Sequence, residues 1–482
     1  MRRVQPRLPT LKRWGTIVTG SFQLIHRSRF VNKIISMQEN SVRLPVSVSW
    51  RAALGALAAV MVSAGSIAPP AVAQESAIDR LSAEGEAQVI AWRRDFHQNP
   101  ELSNREFRTS EIVAEALREM GLEVETGIAH TGVVGYLRGA QERPLVAIRA
   151  DMDALPVTEA TGLPFASTVT TEYRGQEVGV MHACGHDTHV AMQLGVASNL
   201  VALRDELPGS VLFIFQPAEE GAPEGEEGGA ELMLKEGLFE RYQPDVVFGM
   251  HAFSNLNTGQ IGYRAGAIMA SADRFELTVH GRQTHGARPW DGVDPIVTAA
   301  QIITGVQTIV SRQVDLTRAP AIVSFGAING GIRNNIIPDS VELIGTIRNL
   351  DMATRDSVHE RLRTTVANIA EAAGAQADFE IFAQYPVTAN DPELTRRMLP
   401  TIERVVGREN MIEAVPRTVA EDFSFFAMEV PGLYLTLGVT PPDVDPATAP
   451  ANHSPLFYVD EAALVTGVRV LSHLVMDYMA GD

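Results

Sequence analysis

Three short apolar runs each lead straight into ionisable residues, and this pattern limits the possible folds more than any other. Pro144 to Ala150 runs into Asp151-Met152-Asp153, Val211 to Phe215 into Gln216-Pro217-Ala218-Glu219-Glu220, and Val246 to Gly249 into Met250-His251. Continuous apolar runs of this length, bounded by turn residues, are strands buried on both faces, as in a largely parallel sheet covered by helices. In open α/β sheets the ligand crevice lies at the carboxyl ends of the strands, so Asp151, Asp153, Glu219, Glu220 and His251 are expected at one mouth.

Residues 181–189 read Met-His-Ala-Cys-Gly-His-Asp-Thr-His, placing the only cysteine and three of the twelve histidines within nine positions. A thiolate and an imidazole two residues apart around a glycine turn suit a borderline-soft divalent ion, zinc before manganese. Taken alone, the turn reads equally as a buried, inert cysteine beside surface histidines. A helix from His189 to Leu203 should follow, burying Met192, Val196 and Leu200.

Helical periodicity covers Ile78 to Met120, interrupted at Asn99-Pro100, and a further strand is expected over Val133 to Leu137. Residues 221–229, Gly-Ala-Pro-Glu-Gly-Glu-Glu-Gly-Gly, have the composition of a loop, either a mobile lid or a plain solvated connection. From about Ile268 the order becomes strand (Arg274 to Val279), helix (Pro295 to Val310), two strands (Ile322 to Ala327, Val341 to Ile347), helix (Arg355 to Ala372) and strand (Ala377 to Phe382). That βαββαβ order is a complete ferredoxin-like unit, with no room in the first sheet. The expected fold class is therefore α/β, a mostly parallel central sheet flanked by helices, with an inserted α+β ferredoxin-like domain. The predicted organisation is an export region over 1–73, a first catalytic part over 76–267, the insertion over 268–387 and a second catalytic part over 388–482.

Charge excludes some functions. The net charge is −18, yet residues 1–73 hold ten Lys/Arg and one acid, which leaves −27 on the remainder. A body this acidic opposes binding to nucleic acid or an anionic membrane. Arg43 and Arg51 precede the apolar run from Ala52 to Ala68 and the small-x-small sequence Ala71-Val72-Ala73. This is the pattern of an export signal, read here as starting near Met37 and cleaved after Ala73, with an uncleaved anchor as the alternative. The expected address is periplasmic or secreted, without stable membrane insertion after cleavage. One cysteine cannot form an intramolecular disulfide, so Cys184 is left for a metal.

With these segments in hand, the chain resembles the M20 peptidase family, specifically its aminoacylase and amidohydrolase branch, which includes hippurate and auxin-conjugate hydrolases. The motifs that carry the resemblance are Arg149-Ala-Asp-Met-Asp-Ala-Leu-Pro156, Met181-His-Ala-Cys-Gly-His-Asp187, Gln216-Pro-Ala-Glu-Glu220, Gly249-Met-His251, Gly281-Arg-Gln-Thr-His-Gly286, Asn335-Ile-Ile-Pro-Asp339, Gly345-Thr-Ile-Arg348, Glu421-Asp-Phe-Ser424 and Asn452-His-Ser-Pro455. The resemblance implies that Cys184, His186, Glu220, His251 and His453 ligate two divalent ions, Zn²⁺ or Mn²⁺, and that Glu219 is the catalytic base. It implies that Asp153 orients a ligand, that His285 polarises the scissile carbonyl, often from the partner subunit, and that Asn335 and Arg348 hold the substrate carboxylate. It also implies a homodimer formed through the inserted domain and an N-acyl amino acid substrate. His182 and His189 receive no ligand role and are expected to be structural or to support the ligands from behind. Arg282-Gln283-Thr284 departs from the small, glycine-rich residues common before that histidine, which leaves the pocket shape there open. Two other readings stay open: a carboxypeptidase or dipeptidase of the same fold, and a metal- or solute-binding protein without turnover.

Overall fold

The computed structural model describes residues 76–481. The expected export segment and its cleavage site after Ala73 lie outside the described residues. Within them, an eight-stranded sheet forms the larger body. Its four central strands, Ser210–Gln216, Leu145–Asp151, Val246–Asn257 and Gly432–Thr440, run parallel and lie side by side in that order. Glu123–Ile128 and Gly132–Leu137 extend one edge antiparallel, and the short strands Ile261–Tyr263 and Met411–Glu413 extend the other.

The apolar runs form central strands because both sheet faces are covered. Val146 and Ile148 point into one core with Phe213, Phe215 and Phe248, whereas Leu145 and Ala147 point into another with Leu212, Ile214 and Val247. Every residue of Leu145–Asp151 and Ser210–Gln216 is buried. The first core is closed by the helices Ala77–Gln98, His186–Ala202 and Ala462–Ala480, which pack on one another. Among the described residues no helix is long and apolar enough to cross a membrane.

Two boundaries differ from expectation in ways that matter for the site. The helix expected from His189 begins at His186, because Gly185 adopts a left-handed conformation (φ 95°) that lets the chain turn directly into it. His186 and His189 therefore lie one turn apart in its first turn. The third apolar strand does not stop at Gly249 but continues to Asn257, so His251 lies inside it. The alternation of Ala252, Phe253 and Ser254 past the apolar run suits a strand paired on one side to Gly432–Thr440, where His251 is level with Thr436.

The insertion has the expected βαββαβ order. Its four-stranded antiparallel sheet runs Ala321–Asn329, Ser340–Asn349, Ser271–His280, Gln376–Tyr385, and the helices Pro295–Thr308 and Met352–Ala372 share its core. Asp294 and Asp351 begin these helices as N-caps, each accepting backbone N–H bonds from the first turn. The chain enters and leaves this domain on one antiparallel ribbon, Gly266–Met269 against Thr388–Asn390.

Gly249 is a point of close approach in the central sheet. A Cβ there would stand 2.6 Å from the Tyr434 ring and 2.9 Å from Phe423, whose rings pack on each other at 4.6 Å. Gly249→Ala is expected to destabilise the fold by about 1–3 kcal/mol through overpacking, seen as a lower thermal midpoint. An unchanged midpoint would show that the aromatic pair yields freely.

Candidate metal centre

The centre is assembled from four segments fastened by backbone contacts. Cys184 precedes the Gly185 turn and His186 follows it. The distant segment around His453 is held against this turn, since the His453 N–H donates to the Ala183 carbonyl at 2.8 Å. Asn452 ties in the third segment: its Nδ2 donates to the Cys184 carbonyl at 3.1 Å and to the Ala252 carbonyl, beside His251, at 2.9 Å. The fourth segment, Ala218-Glu219-Glu220, leaves the end of Ser210–Gln216.

The donors converge. Cys184 Sγ lies 3.4 Å from His251 Nε2 and 3.3 Å from His453 Nε2, and His453 Nε2 lies 3.2 Å from Glu220 Oε1. His186 Nε2 is 4.0 Å from Glu220 Oε1 and 3.8 Å from Glu219 Oε2. Two overlapping sets result, Cys184 with His186 and His251, and Cys184 with Glu220 and His453, sharing the sulfur. Ligand bonds of about 2.0–2.3 Å in a tetrahedral site imply donor-to-donor edges of roughly 3.3–3.8 Å, close to this spacing.

The rear of each buried imidazole is also committed. His251 Nδ1 donates to the Ala252 carbonyl at 2.8 Å and His186 Nδ1 to Asp153 Oδ1 at 3.2 Å, which aims both Nε2 atoms inward. His186 Nε2 is buried with no hydrogen-bond partner, an orphan that a cation would satisfy. Burial, followed by Glu220, Glu219 and Asp151, holds the Cys184 thiol well above its ordinary pKa. Burial, then Glu421, Glu220 and Asp422, does the same to Glu219. Burial and the neighbouring His189 hold His251 well below the usual imidazole value, hence neutral and fit to ligate. So much confined negative charge calls for a positive ion, which would reverse the local bias on the thiol. The residues present fit a pair of divalent ions.

Glu219 and Glu220 sit on a clamped turn. Ala218 is left-handed (φ 53°), so successive N–H groups converge. The Ala218 N–H donates to Glu106 Oε1 at 2.9 Å, and those of Glu219 and Glu220 donate to Asp153 at 3.1 and 3.0 Å. The Thr131 hydroxyl holds the other oxygen of Glu106 at 2.6 Å, and the Ser103 hydroxyl donates at 2.7 Å to the Asp153 oxygen that also receives the Glu220 N–H. The Glu219 carbonyl accepts from the Tyr385 hydroxyl at 2.8 Å, a contact reaching in from the last strand of the inserted domain.

Behind the donors lies a buried ionic layer. Arg149 donates to Gln216, Asp151 and Asp422 at 2.7 Å each and pairs with Glu421 at 2.9 Å. His189 spends both ring nitrogens, donating to Asp151 at 2.5 Å and accepting from the Ala252 N–H at 2.8 Å. Neither ring nitrogen of buried His182 has a partner.

Of the residues singled out from sequence, Cys184, His186, Glu219, Glu220, His251, His453 and Asp153 come together. Arg348 joins them on the wall of a cleft of about 480 Å³ that also includes Tyr385 and Phe253. It is half-buried, which depresses its pKa against the opposing pull of Asp273, and among the described residues it forms no ion pair within 4 Å. His285 and Asn335 do not line that cleft. They lie exposed on a small ribbon of the insertion, joined by the Gly286 N–H donating to the Asn335 carbonyl at 2.8 Å. Arg149, Asp151, Glu421 and Asp422 stand inside motifs visible in the sequence, but their mutual ion pairing was not. Glu106 carried no signal at all. Phe253, stacked on His251 at 4.4 Å with the Arg417 guanidinium 3.7 Å from its ring centre, was equally silent.

Residues 147–477 match peptidase family M20/M25/M40. A thermostable carboxypeptidase of Saccharolobus solfataricus is 41% identical over 390 residues, covering 80% of this chain and 94% of the relative. An N-acetyl-L-cysteine deacetylase of Bacillus subtilis is 36% identical over 380 residues, 79% of this chain and 85% of the relative. The crystal structure of a dinuclear metal-binding M20 peptidase from Bacillus subtilis superposes with a TM-score of 0.69 at 34% identity, covering 83% of this chain and 99% of that one.

The two clamping acids should separate by assay. Asp153→Ala removes support from His186 as well as the turn, and cation affinity is expected to fall about 10–100-fold. Glu106→Ala frees only the turn: metal content should persist while kcat drops by about 10–100-fold, the usual effect of a misplaced catalytic group. Metal loss in the Glu106 variant, measured by elemental analysis after dialysis, would contradict this division.

Proposed function

This chain belongs to peptidase family M20/M25/M40, and on that footing we propose that it is a two-cation amidohydrolase that cleaves N-acyl amino acids or related small amide conjugates. One observation carries the reading: the Glu219 carboxylate lies buried within 3.8 Å of the unpartnered His186 Nε2, beside two donor sets that share Cys184. Divalent ions bound there would polarise the scissile carbonyl and lower the pKa of the attacking water toward about 7. Cys184, His186, Glu220, His251 and His453 would hold them. The sulfur and imidazole donors favour Zn²⁺, with Mn²⁺ second.

Glu219 acts as the base. As a carboxylate it takes a proton from water and passes it to the departing amine nitrogen, and cations held beside it would offset the burial and neighbouring acids that otherwise favour its neutral form. Clamped N–H groups at Glu219 and Glu220 fix adjacent carboxylates in different directions, one for proton transfer and one for ligation. Arg348, an unpaired guanidinium on the cleft wall, receives the substrate carboxylate in a bidentate grip.

His285 and Asn335 complete the site from a second copy of the chain, polarising the carbonyl and holding the carboxylate. In support, both are exposed and absent from their own cleft, and exposed apolar Trp290 (73%) and Ile332 lie within a few residues of them along the chain. A homodimer through the insertion follows. Export to the periplasm or medium is proposed from the basic, apolar and small-residue segments of residues 43–73.

A second reading, a carboxypeptidase acting on peptides, is favoured by the 41% identity to a protein of that name. Kinetics on N-acetyl, N-benzoyl and dipeptide substrates separates the two, since faster dipeptide cleavage selects the peptidase. Chelation should abolish turnover, and Zn²⁺ or Mn²⁺ should restore it. Glu219→Gln is expected to retain metal and lose about two or more orders of magnitude in kcat; normal turnover would falsify the base assignment. Mixing inactive His285→Ala and Glu219→Gln chains should recover activity if His285 serves the neighbouring site. No recovery despite proven subunit exchange rules that out.

A further inference from the structure

A second cleft of about 680 Å³ adjoins the metal cleft, and Glu220 and Gly221 line both. Arg348 lines only the first, so the two clefts extend from the Glu220 corner, one bearing the carboxylate anchor and the other without it. The volume lies in the range of about 300–1,000 Å³ typical of small-molecule sites.

Apart from Glu220 its walls come from segments with no part in ligation. One is the hairpin Thr170–Tyr173 and Gln176–Gly179, which belongs to neither large sheet and turns through left-handed Arg174 and Gly175. Its base is anchored, since the Gly179 N–H donates to Thr158 and the Val180 N–H to the Val169 carbonyl at 2.9 Å. The opposite wall is the loop after Glu220. That loop is not free: Arg105 grips Glu226 at 2.6 Å, and Asn104 Nδ2 donates to the Glu227 carbonyl at 3.0 Å.

The charges in this cleft are already spent or face outward. Glu101 accepts the Arg108 and Thr109 N–H groups at 3.0 and 2.8 Å, and Arg105 is held by Glu226. What remains deep is apolar, Leu102, Ala154, Leu155 and Val180, while Glu172, Glu224 and Arg174 stand exposed at the rim, the Arg174 guanidinium 5.3 Å from the Tyr173 ring centre. A neutral, largely apolar group fits such a cavity, and an anionic one does not.

We propose that this second cleft is the acyl subsite, taking the uncharged apolar acyl half of an N-acyl amino acid while the amino-acid carboxylate lies toward Arg348. The proposal rests on the amidohydrolase reading and deepens it: the hairpin and Leu155 set acyl preference. Metal-loaded, full-length enzyme is assayed on N-acetyl, N-benzoyl, N-octanoyl and N-succinyl derivatives of one amino acid. The wild type should prefer benzoyl or octanoyl over acetyl by about 10-fold or more in kcat/KM, and succinyl should be poor. Thr171→Trp, on the half-exposed hairpin, should lower the bulky substrates about 10-fold and leave acetyl within about twofold. Tyr173→Ala, which widens the cleft, should relax the upper size limit; retained acetyl turnover shows that each variant is folded. Equal losses for all acyl groups, or a preference that follows the amino-acid half instead, overturns the subsite alone. Failure of the wild type on every member, with dipeptides cleaved, overturns the amidohydrolase reading and the subsite with it.

Discussion

The buried carboxylate of Asp153 holds three things in place at once: the rear nitrogen of His186 and the backbone N–H groups of Glu219 and Glu220. One donor imidazole and the adjacent Glu219–Glu220 pair thereby share one support, two positions beyond the end of a central strand. An unpaired carboxylate at this depth would be costly, because desolvation disfavours its charge. Its hydrogen bonds, with the Ser103 hydroxyl among them, offset that cost and leave it acceptor-only, the state in which it can orient an imidazole.

The layer beneath shows how the fold tolerates so many acids. Arg149, fully buried, stands between Asp151, Glu421 and Asp422, and Tyr434 adds its hydroxyl to Glu421 at 2.6 Å. Breaking one partner of such a network leaves an uncompensated interior charge, typically at a cost of about 3–5 kcal/mol. The donors above it remain rich in negative charge even so, and that residual imbalance is what makes the pocket a cation site rather than a packed core.

Much of this was readable in advance, for identifiable reasons. Leu145–Asp151 and Ser210–Gln216 were legible because strands buried on both faces are written as unbroken apolar runs. The insertion was legible because its six elements keep clean periodicity and turn punctuation. The start of the His186 helix was misplaced because its first turn carries polar ligands that break the apolar pattern. The length of Val246–Asn257 was missed because its outer half pairs on fewer sides and loses the apolar signature. The metal donors were visible through motif order, whereas Glu106 acts on Ala218 across 112 positions of sequence separation and leaves no local trace. His285 and Asn335 show the limit of reading motifs: their order in the chain pointed to the site, yet they lie exposed and away from the cleft of their own chain.

The paired strands at which the insertion begins and ends have an architectural meaning. Gly266 and Asn390 are direct partners across one antiparallel ribbon, so excising everything between would leave two ends about 5 Å apart. The parent sheet is thus topologically whole without its guest, whose residues enter as a long excursion from a single seam. Such a layout lets the appended module, which brings Arg348 and Tyr385 to the cleft, drift or enlarge over evolutionary time while the cation donors keep their own foundations.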